Sequence, residues 1–223
     1  MGEAQDVEAA RRFYDRISSA YDALADASEG ACRERGLSLL APAPGESALE
    51  VGYGTGHGLV ELARRVGEAG RVVGLDVSPS MAREARGRLD REGVAARVDL
   101  RVGAAPPLPF EDAAFDVAWM SFTLELFPET TVPEVLAEVR RVLVPGGRLG
   151  VVGMATPPAG ASESALSHTY RWLHRHFPHI VDCEPIDVEH LVAASGFELR
   201  AGERMSIWTL PVAAVVGVRP RAA

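Results

Sequence analysis

Between Ala48 and Val152 the chain switches repeatedly between short apolar runs and stretches with helical periodicity, and this alternation limits the folds open to it. Ala48 to Gly52 reads as a strand, followed by a helical pattern from about His57 to Arg65. Arg71 to Val77 reads as a second strand. Ser78-Pro79-Ser80 then opens a helix, because serine caps orphan N–H groups and proline suits the first helical position. Arg97 to Val102, Phe115 to Met120 and Arg148 to Val152 read as three more strands. The helix over Pro133 to Leu143 shows Val135, Leu136, Val139 and Val142 at helical spacing, and Pro145-Gly146-Gly147 reads as its stop. Strands separated by single helices predict a parallel sheet covered on both faces, a doubly wound α/β architecture.

The tail departs from this rhythm. Residues 161–177 read as helical, Val188 to Ala194 as a short helix ended by Gly196, and two strands follow near 198–208 and 211–218. The two- or three-residue connection between those strands admits only a hairpin, so the last strand is expected to run antiparallel. No repeat or linker divides the chain. The expected organisation is a single domain over 1–223: a helical cap over 1–40, a core over 46–153, a lid region over 154–197 and a strand pair over 198–218.

Charge narrows the partners. Against 31 acidic residues stand 23 basic ones, a formal charge of −8, which disfavours nucleic acid as a partner. All 23 basic residues are arginine and the chain has no asparagine, a bias of GC-rich coding that deprives arginine clusters of functional weight. Cys32 and Cys183 form no CxxC or metal-ligand spacing. No apolar run approaches the ~20 residues of a membrane span, and the N-terminus has no signal-like core. A cytoplasmic protein with reduced thiols, monomeric or homodimeric, is the expectation.

Glu50-Val51-Gly52-Tyr53-Gly54-Thr55-Gly56 joins the first strand to the first helix. Glycines there let a ligand approach the backbone, and the helix N-terminus offers N–H groups. The dinucleotide signature GxGxxG fails in every register, at His57, Leu59 or Glu61. A phosphate-binding Gly-Lys-Ser/Thr loop is excluded because the chain has no lysine. What remains is an acid followed by GxGxG, with Asp76 at the end of the second strand, 20 residues past Gly56, where a carboxylate can accept both hydroxyls of a ribose.

Glu50 to Gly56 together with Asp76 resemble the binding signature of class I S-adenosylmethionine-dependent methyltransferases. Four further segments resemble the ubiquinone/menaquinone-biosynthesis C-methyltransferase family: Phe13 to Asp22, Gly103-Ala104-Ala105 to Phe110, Phe115-Asp116-Val117 and Leu143 to Gly147. The resemblance covers roughly residues 10–153 in order. It implies a mostly parallel seven-stranded sheet with an antiparallel C-terminal strand and an N-terminal helical cap. It also implies that S-adenosylmethionine binds and leaves as S-adenosylhomocysteine. Glu50 would meet the methionine ammonium, while Gly52, Gly54 and Gly56 admit the ligand. Asp76 would accept the ribose hydroxyls, Met81 would pack on the adenine, and Tyr21 would close over the site. Tyr53, Val77, Ala104, Ala105 and Ser121 would complete it.

One position departs from the family, which usually has Gly-Asp-Ala where this chain has Gly103-Ala104-Ala105. Losing that contact to the adenine amino group costs about 0.5–1.5 kcal/mol. The Ala105 backbone can still meet the ring, and Glu111 or Asp112 could substitute. The departure also leaves room for a second reading, a catalytically silent module that binds cofactor or a partner.

Methyl transfer from a sulfonium is an in-line displacement that needs a held nucleophile and often a base. The acceptor is expected over Ser121 to Glu125. No Asn/Asp-Pro-Pro-aromatic motif of base or amide methylation occurs there, which points to a small or lipid-like acceptor. Glu125, His174 and His176 are the catalytic candidates. His174, His176, His179 and Cys183 are ligand types, but His174 and His176 fall on different helix faces and Pro178 interrupts the run, so no metal is expected.

Overall fold

The computed structural model describes residues 29–156, 185–207 and 210–221. Helix α1 occupies 29–40. After it come β1 (Ser47–Val51), α2 (His57–Val66), β2 (Arg71–Asp76), α3 (Pro79–Arg91), β3 (Val98–Val102), β4 (Phe115–Ser121), α4 (Val132–Val142), β5 (Leu143–Met154), α5 (Val188–Ala194), β6 (Glu198–Ile207) and β7 (Leu210–Val218). The strands form one sheet in the order β3-β2-β1-β4-β5-β7-β6. The first five strands run parallel, and β7 lies antiparallel between β5 and β6. Fold class and the antiparallel ending agree with the sequence expectation. Tyr21 and the helix expected over 161–177 lie outside the described residues, as do His174, His176, His179 and Cys183.

Central strands of a parallel sheet are buried on both faces, and their sequences show it. Four of the five β1 residues and four of the six β2 residues are buried. One face of the sheet packs against Leu37 and Leu40 of α1, Leu59 and Leu62 of α2, and Leu89 of α3. Val135, Leu136 and Val139 of α4 and Val192 of α5 cover the other face. The sequence signals for helix starts hold: Pro79 opens α3, and the Ser78 hydroxyl accepts from the Met81 N–H at 3.3 Å.

One boundary differs. Pro145-Gly146-Gly147 does not separate α4 from the fifth strand; β5 begins at Leu143 and carries these residues as an irregularity. Leu143 pairs with Phe115, and pairing resumes with Arg148 opposite Val117. The excess residues bulge while the chain stays anchored, because Gly146 N–H donates to the Arg219 carbonyl and Arg219 N–H to that of Gly147, both at 2.8 Å.

Helix α1 is fixed on the sheet by a close approach and by its C-terminus. A Cβ on Gly36 would lie 2.3 Å from Val152 Cγ2 and 2.6 Å from the Trp119 ring, so only glycine allows this contact. Arg148 Nε donates to the Leu40 carbonyl at 3.0 Å and its Nη2 to that of Ala41 at 3.1 Å, satisfying carbonyls that the helix end leaves unpaired. Arg148 also holds Glu46 at 2.8 Å. Gly36→Ala is expected to destabilise the protein by about 1–2 kcal/mol in urea denaturation, overpacking outweighing the gain in helix propensity. A stabilised variant would contradict this packing.

Candidate functional site

Beta strand order reverses direction about β1, which has β2 on one side and β4 on the other. At such a switch point the loops leaving neighbouring strands diverge and open a crevice beyond their C-terminal ends. A cleft of about 610 Å³ lies there, within the range of small-ligand sites. Glu50, Gly52, Tyr53, Gly54, Asp76, Val77, Met81, Ala104, Ala105 and Ser121, all anticipated from the sequence, line it. Gly56 does not.

The glycine turn is shaped by its neighbours as much as by a ligand. Gly52 has φ +73°, and a Cβ there would lie 2.2 Å from Thr123 Cγ2. Gly56 has φ +86° and caps α2, and its Cβ would lie 2.9 Å from that of Ala85, so this glycine serves the contact between α2 and α3. A Cβ on Gly54 would meet nothing within 4 Å. Asp76 ties the turn to the next element: its Oδ2 accepts from Gly54 N–H and its Oδ1 from Ser78 N–H, both at 2.8 Å. Each carboxylate oxygen keeps a second lone pair. Tyr53 is largely a core residue. Its ring packs where a Gly74 Cβ would stand, its hydroxyl donates to the Arg101 carbonyl at 3.3 Å, and burial pushes its pKa up to about 12.

Glu50 is the most unusual group. It is the penultimate residue of β1, only 2% exposed, and its Oε2 has no hydrogen-bond partner among the described residues. A Cβ on Gly58 would lie 2.1 Å from its Oε1, so the first turn of α2 needs glycine to sit over this carboxyl. Burial raises the Glu50 pKa well above the usual carboxylate range; Arg33 opposes the shift and Asp76 adds to it. A buried acceptor without a donor is rare and costly, so such a group at a cleft wall marks a place for a donor from a ligand. Ser121, at the end of β4, likewise lines the cleft with an unpartnered Oγ.

Gly103, Ala104 and Ala105 line the cleft, as do Met81 and the exposed Val77. An arginine on α4 holds the loop that follows. Arg141 forms paired bonds with Glu138 at 2.8 and 2.9 Å, reaches the carbonyls of Leu108 and Phe110, and meets Asp112 at 2.7 Å. The guanidinium holds the Glu138 pKa down at about 2. Asp112 is thus engaged with Arg141, and neither it nor Glu111 lines the cleft. The carboxylate proposed to substitute at Ala104 is not supplied by either.

The third wall is Ser121, Phe122, Thr123, Leu126 and Phe127. Thr123 Oγ1 lies 2.9 Å from the Ser121 carbonyl and 3.2 Å from that of Gly52, pinning this wall to the glycine turn. Glu125 does not face the cleft with its neighbours. The 3-10 turn Leu124–Leu126 carries it inward, 5% exposed, where its Oε1 accepts from Met154 N–H at 2.9 Å over the small Gly153. Sequence reasoning missed Glu29, Arg33, Gly58, Leu126 and Phe127, while the wall over Ser121 to Thr123 was anticipated. A glycine in the first turn of a helix was a usable signal for Gly58, whereas one arginine among 23 gave none for Arg33. Among the described residues no cluster of His, Cys, Asp and Glu could hold a metal, and no helix is long and apolar enough to cross a membrane.

Burial raises the Glu125 pKa to about 7 from an ordinary 4.5. The folded state therefore retains a proton that the unfolded chain releases. Stability from this group is full below pH ~4.5 and falls as pH rises toward ~7, by up to about 3 kcal/mol. Glu125→Gln keeps the acceptor for Met154 and removes the titration. Its unfolding free energy is expected to decline less than that of the wild type between pH 5 and 8, measured by urea denaturation. Parallel pH profiles would refute the assignment.

Residues 48–147 match the family model described as a methyltransferase domain. The chain is 36% identical over 146 residues to the nocamycin O-methyltransferase of Saccharothrix syringae, covering 66% of this chain and 51% of that protein. It is also 36% identical over 156 residues to a ubiquinone/menaquinone biosynthesis C-methyltransferase of Dinoroseobacter shibae, covering 68% of this chain and 61% of that one. The match thus spans about half to three fifths of these relatives. The solved structure of the [4+2]-cyclase SpnF superposes with a TM-score of 0.72 at 20% identity, covering 95% of each chain. The fold, the glycine turn and these relatives support a class I methyltransferase domain over residues 48–147 that resembles the ubiquinone/menaquinone C-methyltransferases.

Proposed function

We propose that this chain transfers a methyl group from S-adenosylmethionine to a small organic acceptor. The observation that carries the reading is the Glu50 Oε2, buried near the end of β1 without a hydrogen-bond partner among the described residues, in the cleft that Asp76 and the glycine turn share. Its acceptor oxygen suits the ammonium of an amino acid, and the free lone pairs of Asp76 suit ribose hydroxyls. Met81, Val77 and Ala105 offer an apolar slot for a purine, and Ala104 leaves one edge of that slot without a carboxylate. When bound, S-adenosylmethionine supplies a methyl group on a positively charged sulfur, open to in-line displacement.

The remaining wall sets the acceptor class. Phe122, Leu126 and Phe127 present aromatic and aliphatic surface, and Leu126 is 55% exposed before any acceptor covers it. Such a wall favours a ring-bearing apolar or amphipathic acceptor, quinol- or phenol-like, over nucleic acid, which the charge of −8 also disfavours. The O- and C-methyltransferases among the relatives are compatible with either atom as nucleophile. SpnF, titled a cyclase, is a reminder that this fold alone does not fix the chemistry.

Calorimetric titration of the purified chain tests the reading. S-adenosylmethionine and S-adenosylhomocysteine are expected to bind with dissociation constants on the order of micromolar, and NAD not at all. Gly54→Val, which strains the turn at φ +48° and adds bulk where no protein atom lies within 4 Å, is expected to abolish that binding in a chain that still unfolds cooperatively. Silence toward both adenosyl ligands would overturn the proposal. Binding without methyl loss to any quinol or phenol would favour the silent-module reading.

A further inference from the structure

Strand β3 forms one edge of the sheet, and among the described residues no strand pairs with its outer side. Gly103 N–H donates inward, to the Asp76 carbonyl at 2.9 Å. Backbone polar groups alternate sides along a strand, so Leu100 and Val102 direct theirs outward, away from β2. Val98 N–H is taken by the Ala95 carbonyl, which leaves its own C=O for an outer partner. Register against β2 runs unbroken from Val72 opposite Val98 to Asp76 opposite Val102, so no bulge twists this edge away. Val102 is 52% exposed, a large apolar side chain on an open edge.

Edge strands normally discourage pairing with bulges or with charges that repel a second copy. The opposite edge of the sheet follows that rule. β6 shifts register between Leu199 and Ala201, and helices engage two of its charges: Arg35 of α1 meets Glu203 at 2.6 Å, and Glu189 of α5 meets Arg204 at 3.4 Å. β3 is built differently. Its five residues, Val98-Asp99-Leu100-Arg101-Val102, are self-complementary about their centre. Turned antiparallel about Leu100, Asp99 of one copy faces Arg101 of the other, and Val98 faces Val102, each twice. The backbone agrees with this register. Outward polar groups make Leu100–Leu100 and Val98–Val102 the hydrogen-bonded pairs. The opposite charges then fall at the closely spaced, non-hydrogen-bonded positions, where side chains interact most. Within one copy Arg101 Nε meets Asp99 Oδ2 at 3.0 Å, both side chains about half exposed, and the guanidinium lies 5.2 Å from the centre of the Phe110 ring.

We propose that two copies of this chain pair antiparallel through β3, about a two-fold axis at Leu100, joining their seven-stranded sheets into one. Asp99 and Arg101 of the two copies then form a cluster of four charges alternating in sign, and the exposed Val102 is covered. Five residues make a small interface, so the association is weak, with a dissociation constant on the order of tens of micromolar. The two-fold axis points the C-terminal ends of the two sheets in opposite directions, so the clefts open at opposite ends of the joined sheet. Val98 to Val102 do not line the cleft, and the pairing is therefore independent of the methyl-transfer reading.

Sedimentation equilibrium of the full chain, from micromolar to millimolar concentration, tests the pairing. The wild type is expected to show a reversible monomer–dimer equilibrium. Asp99→Arg and Arg101→Asp each place four like charges around the axis, and each is expected to raise the dissociation constant by about tenfold or more. Carrying both substitutions in one chain exchanges the charges and is expected to recover the wild-type value to within about threefold. An equimolar mixture of the two single variants is expected to dimerise more tightly than either alone. Both positions are half exposed, so every variant is expected to unfold cooperatively in urea. A wild type that stays monomeric at millimolar concentration would overturn the proposal and leave this edge to a different partner. Single reversals that leave the dimer intact would overturn it by locating the contact on another face. So would a charge exchange that unfolds cooperatively yet dimerises no better than the single variants.

Discussion

Burying a carboxylate at the end of a central parallel strand is unfavourable unless something meets it, and much of this site is arranged around that fact. Glu50 sits beneath the first turn of α2 because Gly58 leaves space for its oxygens. It is only 2% exposed, and its Oε2 has no hydrogen-bond partner among the described residues. Replacing it by an apolar residue of similar volume would relieve the desolvation. The arrangement is therefore better understood as stability held in reserve for a cationic ligand than as a stabilising feature of the fold.

The other parts of the site keep that carboxylate aligned. Asp76 holds the backbone of Gly54 and Ser78 at once, so the glycine turn and the start of α3 move together. Thr123 packs against Gly52 and couples the turn to the acceptor wall after β4. Arg141 clamps the loop that follows Ala105 onto α4 through two carbonyls and two carboxylates. The first two links join the C-terminal end of one strand to a neighbouring loop, and the third ties the loop after β3 to α4. The rigid sheet thus sets the spacing between ligand-facing groups, and the loops supply their chemistry.

Much of this was legible in the sequence because it depends on local pattern. The strands of the parallel core are continuous apolar runs, and their ends are marked by glycine or by the Ser78-Pro79 cap. Glu50, Asp76 and the glycine turn follow from spacing along two adjacent βα units. What was not legible depends on contacts between distant segments. Pro145-Gly146-Gly147 reads as a stop, but pairing with the far C-terminal Arg219 keeps it in the sheet as a bulge. Glu125 reads as facing an acceptor, but a 3-10 turn directs it to Met154, 29 residues on. Asp112 reads as a substitute at Ala104, but Arg141 claims it. Arg33 has no local mark at all, since its place on the cleft depends on where Gly36 lets α1 dock.

The central claim is that Glu50 is a ligand-binding acid, and linked protonation tests it most directly. Burial raises the Glu50 pKa and an ammonium arriving beside it lowers the pKa again, so binding is linked to loss of a proton. S-adenosylhomocysteine would be titrated calorimetrically at slightly acidic pH in buffers of contrasting ionisation enthalpy. The account predicts net proton release on binding to the wild type, with both the release and most of the affinity lost in Glu50→Gln. Binding without proton release, equally tight in Glu50→Gln, would contradict it.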